Sequence, residues 1–343
     1  MNRSRIEWCD HTWNPITGCR HGCKYCYARR HVDRFAGDVR MNRMAKDDYV
    51  LVPAADGGDP VYVLDAPMLN ATGSPLIYPF GFEPTFHRYR MDMPKKLKMG
   101  NNIFVGAMSD MFGSWVRDEW IKEILDVCIE NSIHNYLFLT KNPGRYLDLP
   151  IPTEYGNLWF GTTVTRETEV DRLFSLPLGC KPFVSFEPLL EDIHLELHRL
   201  SIAPLEWVII GAETGRKKEK VIPKREWIQS IVDICDEERI PIFMKDSLIP
   251  IVGEKGMRRE FPERLRHPKV SSKMKKRLYG ECGVCKEVQR KNEMVALLAR
   301  FERGKQPKQF GYMCRKCFEK FCGEKGWYIP EPAGLAGSID RDV

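Results

Sequence analysis

The chain has 343 residues, with 53 Lys and Arg against 47 Asp and Glu and a formal net charge of +6. That length allows one large domain and a smaller companion, and a hydrophobic fraction of 43% with eight Trp supports a substantial core. No apolar run reaches the roughly 20 residues of a membrane span, which argues against a helical membrane protein and predicts no membrane partner.

Met1 to Asp10 carry scattered charges and no apolar core, unlike a secretory signal. A cytoplasmic, reducing location is therefore expected, where clustered cysteines mean metal or redox chemistry. The first predicted element is such a cluster: Gly18-Cys19-Arg20-His21-Gly22-Cys23-Lys24-Tyr25-Cys26-Tyr27-Ala28. Three thiolates at C-x3-C-x2-C spacing suit a cubic [4Fe-4S] cluster with one iron left open, since soft sulfur selects iron–sulfur or zinc over hard cations. Structural zinc is the competing reading, with Cys9, His11 or His21 as fourth ligand. Disulfides and inert packing fit less well in a segment rich in Gly, Arg and Lys.

An excursion of weak periodicity follows over about residues 38–80, with Asp56-Gly57-Gly58-Asp59-Pro60 as a turn. Strands and helices then alternate. Ile103 to Met108 reads as a buried strand, and Ser114 as the N-cap of a helix whose apolar face carries Val116, Trp120, Ile121, Ile124, Leu125 and Cys128. Tyr136 to Leu139 is the next strand, with Asn142-Pro143 opening a helical turn. Leu158 to Gly161, a helix from about Glu167 to Leu176, Pro182 to Phe186 and Trp207 to Ile210 come next. A helix bearing Trp227, Ile228, Ile231, Val232 and Cys235, then Pro241 to Met244, closes the series. This is an α/β pattern with a parallel sheet. Six or more units without a Gly-rich dinucleotide fingerprint fit a partial or closed (β/α) barrel.

Polar residues recur where the strands should end: Ser109 and Asp110, Thr140 and Lys141, Thr162 and Thr163, Ser185 and Glu187, Glu213, Lys245 and Asp246. A cap or turn explains any one of them. Six strands in succession describe a polar cup, which in βα barrels is where chemistry sits.

Toward the carboxyl end, Glu254 to Arg277 holds ten Lys or Arg against three acidic residues. It reads either as a solvated linker or as an electrostatic contact for nucleic-acid phosphates. Beyond it stand Cys282-x2-Cys285 and Cys314-x2-Cys317. Paired C-x2-C is a zinc signal, a second electron-transfer cluster is the alternative, and Cys322 is spare. The expected organisation is a barrel over 1–250 with the insertion at about 38–80, a basic linker over 251–278 and a zinc-binding module over 279–343.

Thr12-Trp13-Asn14-Pro15, Gly18-Cys19 and Cys23-x2-Cys26-Tyr27-Ala28 together resemble the phage-associated three-cysteine-motif proteins, a radical-SAM-like group of undefined function. Ser109-Asp110-Met111-Phe112, Phe138-Leu139-Thr140-Lys141, Ser185 to Leu190 and Gly211 to Gly215 extend the resemblance over about residues 5–265. It implies a [4Fe-4S] cluster on Cys19, Cys23 and Cys26, S-adenosyl-L-methionine as cofactor and an electron-donor protein as partner. Asp110, Glu187 and Glu213 are then candidate acceptors for the cofactor's ammonium and hydroxyls. Lys141, Thr163 and Lys245 are candidate donors to its carboxylate, with Ser185 on the same cup. Gly211 and Gly215 would allow close backbone approach, and Tyr25 would lie near the adenine.

The expectation is a radical SAM enzyme that forms a 5′-deoxyadenosyl radical and modifies or repairs a nucleic-acid base or nucleotide. A protein or small metabolite is the rival substrate, and a zinc-dependent nucleic-acid-binding protein without radical chemistry the rival class.

Overall fold

Successive strand residues face opposite sides of a sheet, and here both sets are apolar, so the central strands must be covered on both faces. The computed structural model bears this out. It describes residues 2–97, 100–177, 179–195, 204–215, 220–266, 279–282, 288–290, 294–299 and 308–325.

The strands of the first unit are β1 (Asn2–Arg3), β2 (His11–Trp13), β3 (Ile16–Thr17), β4 (Val50–Val52), β5 (Val61–Leu64), β6 (Thr85–His87), β7 (Asn102–Val105), β8 (Asn135–Thr140), β9 (Leu158–Thr163), β10 (Lys181–Phe186), β11 (Trp207–Ile210) and β12 (Ile242–Met244). The main sheet runs β1-β2-β7-β8-β9-β10-β11-β12, antiparallel at β1–β2 and parallel throughout the rest. From β7 onward each strand lies beside its predecessor in the chain. Successive right-handed crossovers in one direction keep the helices on one face, and the sheet curls toward a barrel. It stays open, because β12 pairs with neither β1 nor β2.

Two pieces of chain finish what the sheet leaves open. Along the far side of β12, Met244 N–H donates to Arg258 O and Glu260 N–H to Ile242 O, each at 2.8 Å, so the edge is covered. Across the gap, Trp8 packs on Phe104 (4.7 Å between rings) and Trp207 (6.2 Å). Beside it Glu7 accepts from Asp246 N–H at 2.8 Å and from Arg259 at 2.5 Å.

Helices Asp118–Glu130 and Arg225–Glu237 bury the predicted apolar faces, with Cys128 and Cys235 fully enclosed. Several local readings are corrected. Ser114 does not cap the first of these helices: its hydroxyl donates to Asp56 at 2.8 Å, and Arg117 occupies the cap position. Asn142 is no cap either, since its amide reaches back to Phe112 O at 3.0 Å while helix Arg145–Asp148 starts after Gly144. The helix expected from about Glu167 to Leu176 is present, as the 3-10 helix Glu167–Ser175. The predicted strand through Met108 stops at Val105, where Gly106 turns the chain at φ +80°.

The insertion is also more ordered than its sequence suggests. It supplies β4 and β5 to a second sheet, ordered β3-β6-β5-β4, which abuts the cysteine loop through β3.

By contacts the chain divides into Met1–Lys96 with Asn101–Arg266, and Leu97–Gly100 with His267–Val343. In the second unit Tyr279–Glu281 pairs with Val288–Arg290 and Met294–Ala299 with Lys308–Cys314, both antiparallel, before helix Arg315–Lys325. No helix among the described residues is long and apolar enough to cross a membrane.

Candidate active site

One face of the main sheet explains the site. Phe104, Leu137, Trp159, Phe183, Trp207, Ile209 and Phe243 lie in register on the inner face and, with Trp8, form one buried cluster. A Cβ on Gly161 would come within 2.6 Å of the Phe183 ring, so a glycine there lets that ring lie across β9. Counting on by twos, the same face carries Lys141, Thr163, Ser185, Glu187 and Lys245 at the carboxyl ends. These five line a cavity of about 430 Å³ that also receives Cys19, Cys23 and Cys26.

The cysteine loop is fitted to this rim by its backbone. Gly18 adopts φ +82°, and a Cβ there would lie 2.3 Å from Glu83 O, inside any allowed contact. Its N–H donates to Met108 O at 2.9 Å. At the other end Cys26 caps helix Tyr27–Phe35, its sulfur accepting from Arg29 N–H at 3.4 Å. Burial pushes the Cys19 thiol up to about 12, and the negative charge of Asp110 and the neighbouring thiols adds to the shift. A thiol so shifted keeps its proton at neutral pH.

Between Cys19 and Cys23, His21 Nε2 meets Asp110 Oδ2 at 2.7 Å. Asp110 is fully enclosed and takes three further donors: Lys141 N–H at 2.8 Å, Thr140 Oγ1 at 2.7 Å and Phe112 N–H at 3.0 Å. Burial opposes its ionisation, yet these donors outweigh it and hold the carboxyl below its usual range. With all four acceptor directions taken, Asp110 serves as the post on which the cysteine loop is hung.

Glu187 and Lys245 form an ion pair on the cavity wall. Gly211 stands behind it rather than on the cavity surface: a Cβ there would lie 3.0 Å from Glu187 and 3.2 Å from Lys245. Glu213 lines the cavity and accepts from Val221 N–H at 3.2 Å. Lys141 sets its ammonium 5.7 Å from the centre of the Tyr25 ring, and burial raises the Tyr25 phenol. Gly215 lies off the cavity lining, and a Cβ on it would sit 3.0 Å from Arg30.

Three residues of the cavity escape a sequence reading. Tyr27 forms wall, its hydroxyl donating to Ala107 O at 2.7 Å; only its place in the cysteine motif hints at this. Arg5 and Trp8 arrive from the amino-terminal segment, which has no periodicity to follow. Cys9 turns instead to Ser4 Oγ at 3.2 Å and packs against the interior. Cys19 also lines a second cavity of about 390 Å³ with Arg20, Arg29 and Arg43.

The donor set fits an iron–sulfur cluster with a polar organic cofactor beside it. Three thiols share one cavity, and the Ser185 hydroxyl is buried on its wall without a hydrogen-bond partner. Among the described residues no three His, Cys, Asp or Glu side chains converge on a single metal ion; a cubane, which takes each thiolate on a different iron, does not require that. Of the carboxyl-terminal cysteines, Cys282 is buried and shares an apolar cluster with Met313, Cys317 and Phe318. Cys285 and the side chain of Cys314 lie outside the described residues, as does most of the basic segment after Arg266.

Among proteins of curated function none matches the sequence. A solved structure of a spore photoproduct lyase mutant is similar at 10% identity and a TM-score of 0.38, over 94% of this chain and 73% of the other. Across residues 3–249 the sequence matches a family pattern described as a protein of unknown function, and the chain belongs to that family, DUF5131.

Proposed function

We propose that the cavity is the site of a radical SAM enzyme. The observation that carries this is the meeting of Cys19, Cys23 and Cys26 with the polar ends of parallel strands around one cavity. Cys19, Cys23 and Cys26 would hold a [4Fe-4S] cluster, which would supply an electron for reductive cleavage of S-adenosyl-L-methionine. That electron comes from a separate donor protein.

The chain's own residues do the positioning. Asp110 fixes His21 and so the loop between Cys19 and Cys23. Glu187, oriented by Lys245, offers a carboxylate to an ammonium or ribose hydroxyl, and Ser185 has a hydroxyl to give. Lys141 presents its ammonium to a carboxylate while Tyr25 and Tyr27 wall the space against water.

The substrate in this reading is a nucleic-acid base or nucleotide. The resemblance to a phage-associated group and the basic residues from Lys255 onward support it. In the second unit, zinc on Cys282, Cys285, Cys314 and Cys317 completes the proposal.

Anaerobic purification with iron, sulfide and zinc analysis tests it. Reconstituted protein should hold about four iron and four sulfide at the first cysteine set, and S-adenosyl-L-methionine with reductant should yield 5′-deoxyadenosine. Cys23→Ala should abolish both. A colourless protein with zinc and no labile sulfide after reconstitution would overturn the enzyme reading.

A further inference from the structure

Positive charge is concentrated where the cysteine loop runs into its helix. Lys24 to Lys46 contains seven Lys or Arg and two acidic residues, a local excess of five in a chain whose net charge is +6. Helix Tyr27–Phe35 buries Ala28 and Val32 against Tyr78 and Met108. At about 100° per residue, Tyr27, His31 and Phe35 then form a stripe along one border of that buried face. Arg30 and Arg34 form a ridge beside the stripe.

The stripe reaches solvent: Tyr27 is 51% and Phe35 56% exposed, and the His31 and Phe35 rings lie 4.8 Å apart. Helix Val39–Met44 follows with exposed Arg40, Met41 and Met44, while its Arg43 turns to the second cavity beside Arg29 and Asp33. Among the described residues Arg30, Arg34 and Arg40 form no ion pair, and Arg30 has a 3.3 Å contact to Tyr25 O. The stripe ends at Tyr27, which is itself cavity wall.

We propose that this face is a track for a single strand of nucleic acid. Phosphates follow Arg30, Arg34 and Arg40, while bases stack on Phe35 and His31 and so lead a nucleotide past Tyr27 to the cavity. Guanidinium groups match phosphate oxygens in pairs. Exposed aromatic rings beside a cationic ridge are how single strands are held with little regard to sequence. A paired duplex hides its base faces, and an acidic protein needs the arginines but not the rings. Only the delivery into the cavity rests on the radical SAM reading; the binding does not.

The test is fluorescence anisotropy with labelled 20-mer oligothymidylate and oligouridylate, on the full-length protein without added cofactor. Arg34→Glu/Arg40→Glu should weaken binding at least tenfold and flatten the log K against log salt slope by about 1.4, from about 0.7 per lost phosphate contact on single strands. Phe35→Ala should weaken binding about tenfold with the slope unchanged. Three results overturn the proposal. The first is no binding of either oligomer. The second is binding lost on Arg315→Glu/Lys316→Glu but kept in the helix variants. The third is loss on arginine reversal with no effect of Phe35→Ala, which marks a surface for an acidic protein. Binding without 5′-deoxyadenosine formation leaves this proposal standing and removes the radical SAM reading.

Discussion

His21 and Asp110 are 89 residues apart in the chain and 2.7 Å apart in the fold, joining the cysteine loop to the turn after the first parallel strand of the alternating series. Asp110 also takes the backbone N–H of Lys141 and the hydroxyl of Thr140, from the next strand over. One carboxylate thus sets three pieces of chain around the same corner of the cavity.

Asp110→Asn keeps the shape of this post but turns amide hydrogens toward groups that are already donors. Leaving buried donors unmatched costs about 1–3 kcal/mol. Urea unfolding of the cofactor-free protein should show that loss, and reconstituted iron per chain should fall with it. His21→Ala leaves the carboxylate three of its four donors, so it should lower iron retention with a smaller loss of stability. Wild-type iron content in both variants would remove the loop-positioning role.

Gly18 and Gly22 both have positive φ, +82° and +67°, but differ in their surroundings. Gly22→Ala meets nothing within 4 Å and should cost only the backbone penalty, about 1–2 kcal/mol. Gly18→Ala adds a clash with Glu83 O and should lower the melting temperature distinctly more. Equal melting temperatures for the two variants would show that the loop yields at Gly18.

Glu187 and Lys245 are partly enclosed, their side chains 26% and 17% exposed. Glu187→Gln or Lys245→Met alone leaves a charge without its partner on the cavity wall. Each should destabilise by about 1–3 kcal/mol, less than for a fully buried pair. The double variant should recover part of the loss. Strict additivity in the denaturant cycle would show no coupling.

His87 bridges the small sheet, its Nε2 2.8 Å from the Thr17 hydroxyl. Burial, with Arg90 nearby, holds its pKa well below 6.5. The unfolded chain therefore takes up this proton first. The stability that neutral His87 supports is fully present above about pH 6.5 and falls as pH drops below it, by at most about 1.4 kcal/mol per pH unit. Unfolding free energy measured from pH 8 to pH 5 should show this slope, and Thr17→Val/His87→Phe should flatten it.

The parallel strands were legible because β-rich runs such as Trp207-Val208-Ile209-Ile210 are apolar on both faces and separated by amphipathic helices. The strand-end polar residues followed from the same count by twos. Helix starts were not, because Ser114 and Asn142 found partners far away in sequence, and a side chain that bonds a distant loop looks like a cap until the loop is placed. The β4–β5 pairing was hidden for a related reason. Val50 and Leu51 are exposed, so the strand shows no inward alternation to read. Asp110 was legible as a site residue, yet its use as a support for His21 depends on two donors, Thr140 and Lys141, from the next strand over.

The open side of the barrel has a mechanical consequence. Widening a closed ring of strands means tearing a row of backbone hydrogen bonds between two neighbours. Here the same displacement would act on the ring contacts of Trp8, the two polar contacts of Glu7 and the bonds from the Asn102 and Asn135 amides to Leu265 O and Arg264 O, while the ladders of the parallel sheet stay intact. The amino-terminal segment is thus the seam of this barrel, closed by side chains rather than by a backbone ladder.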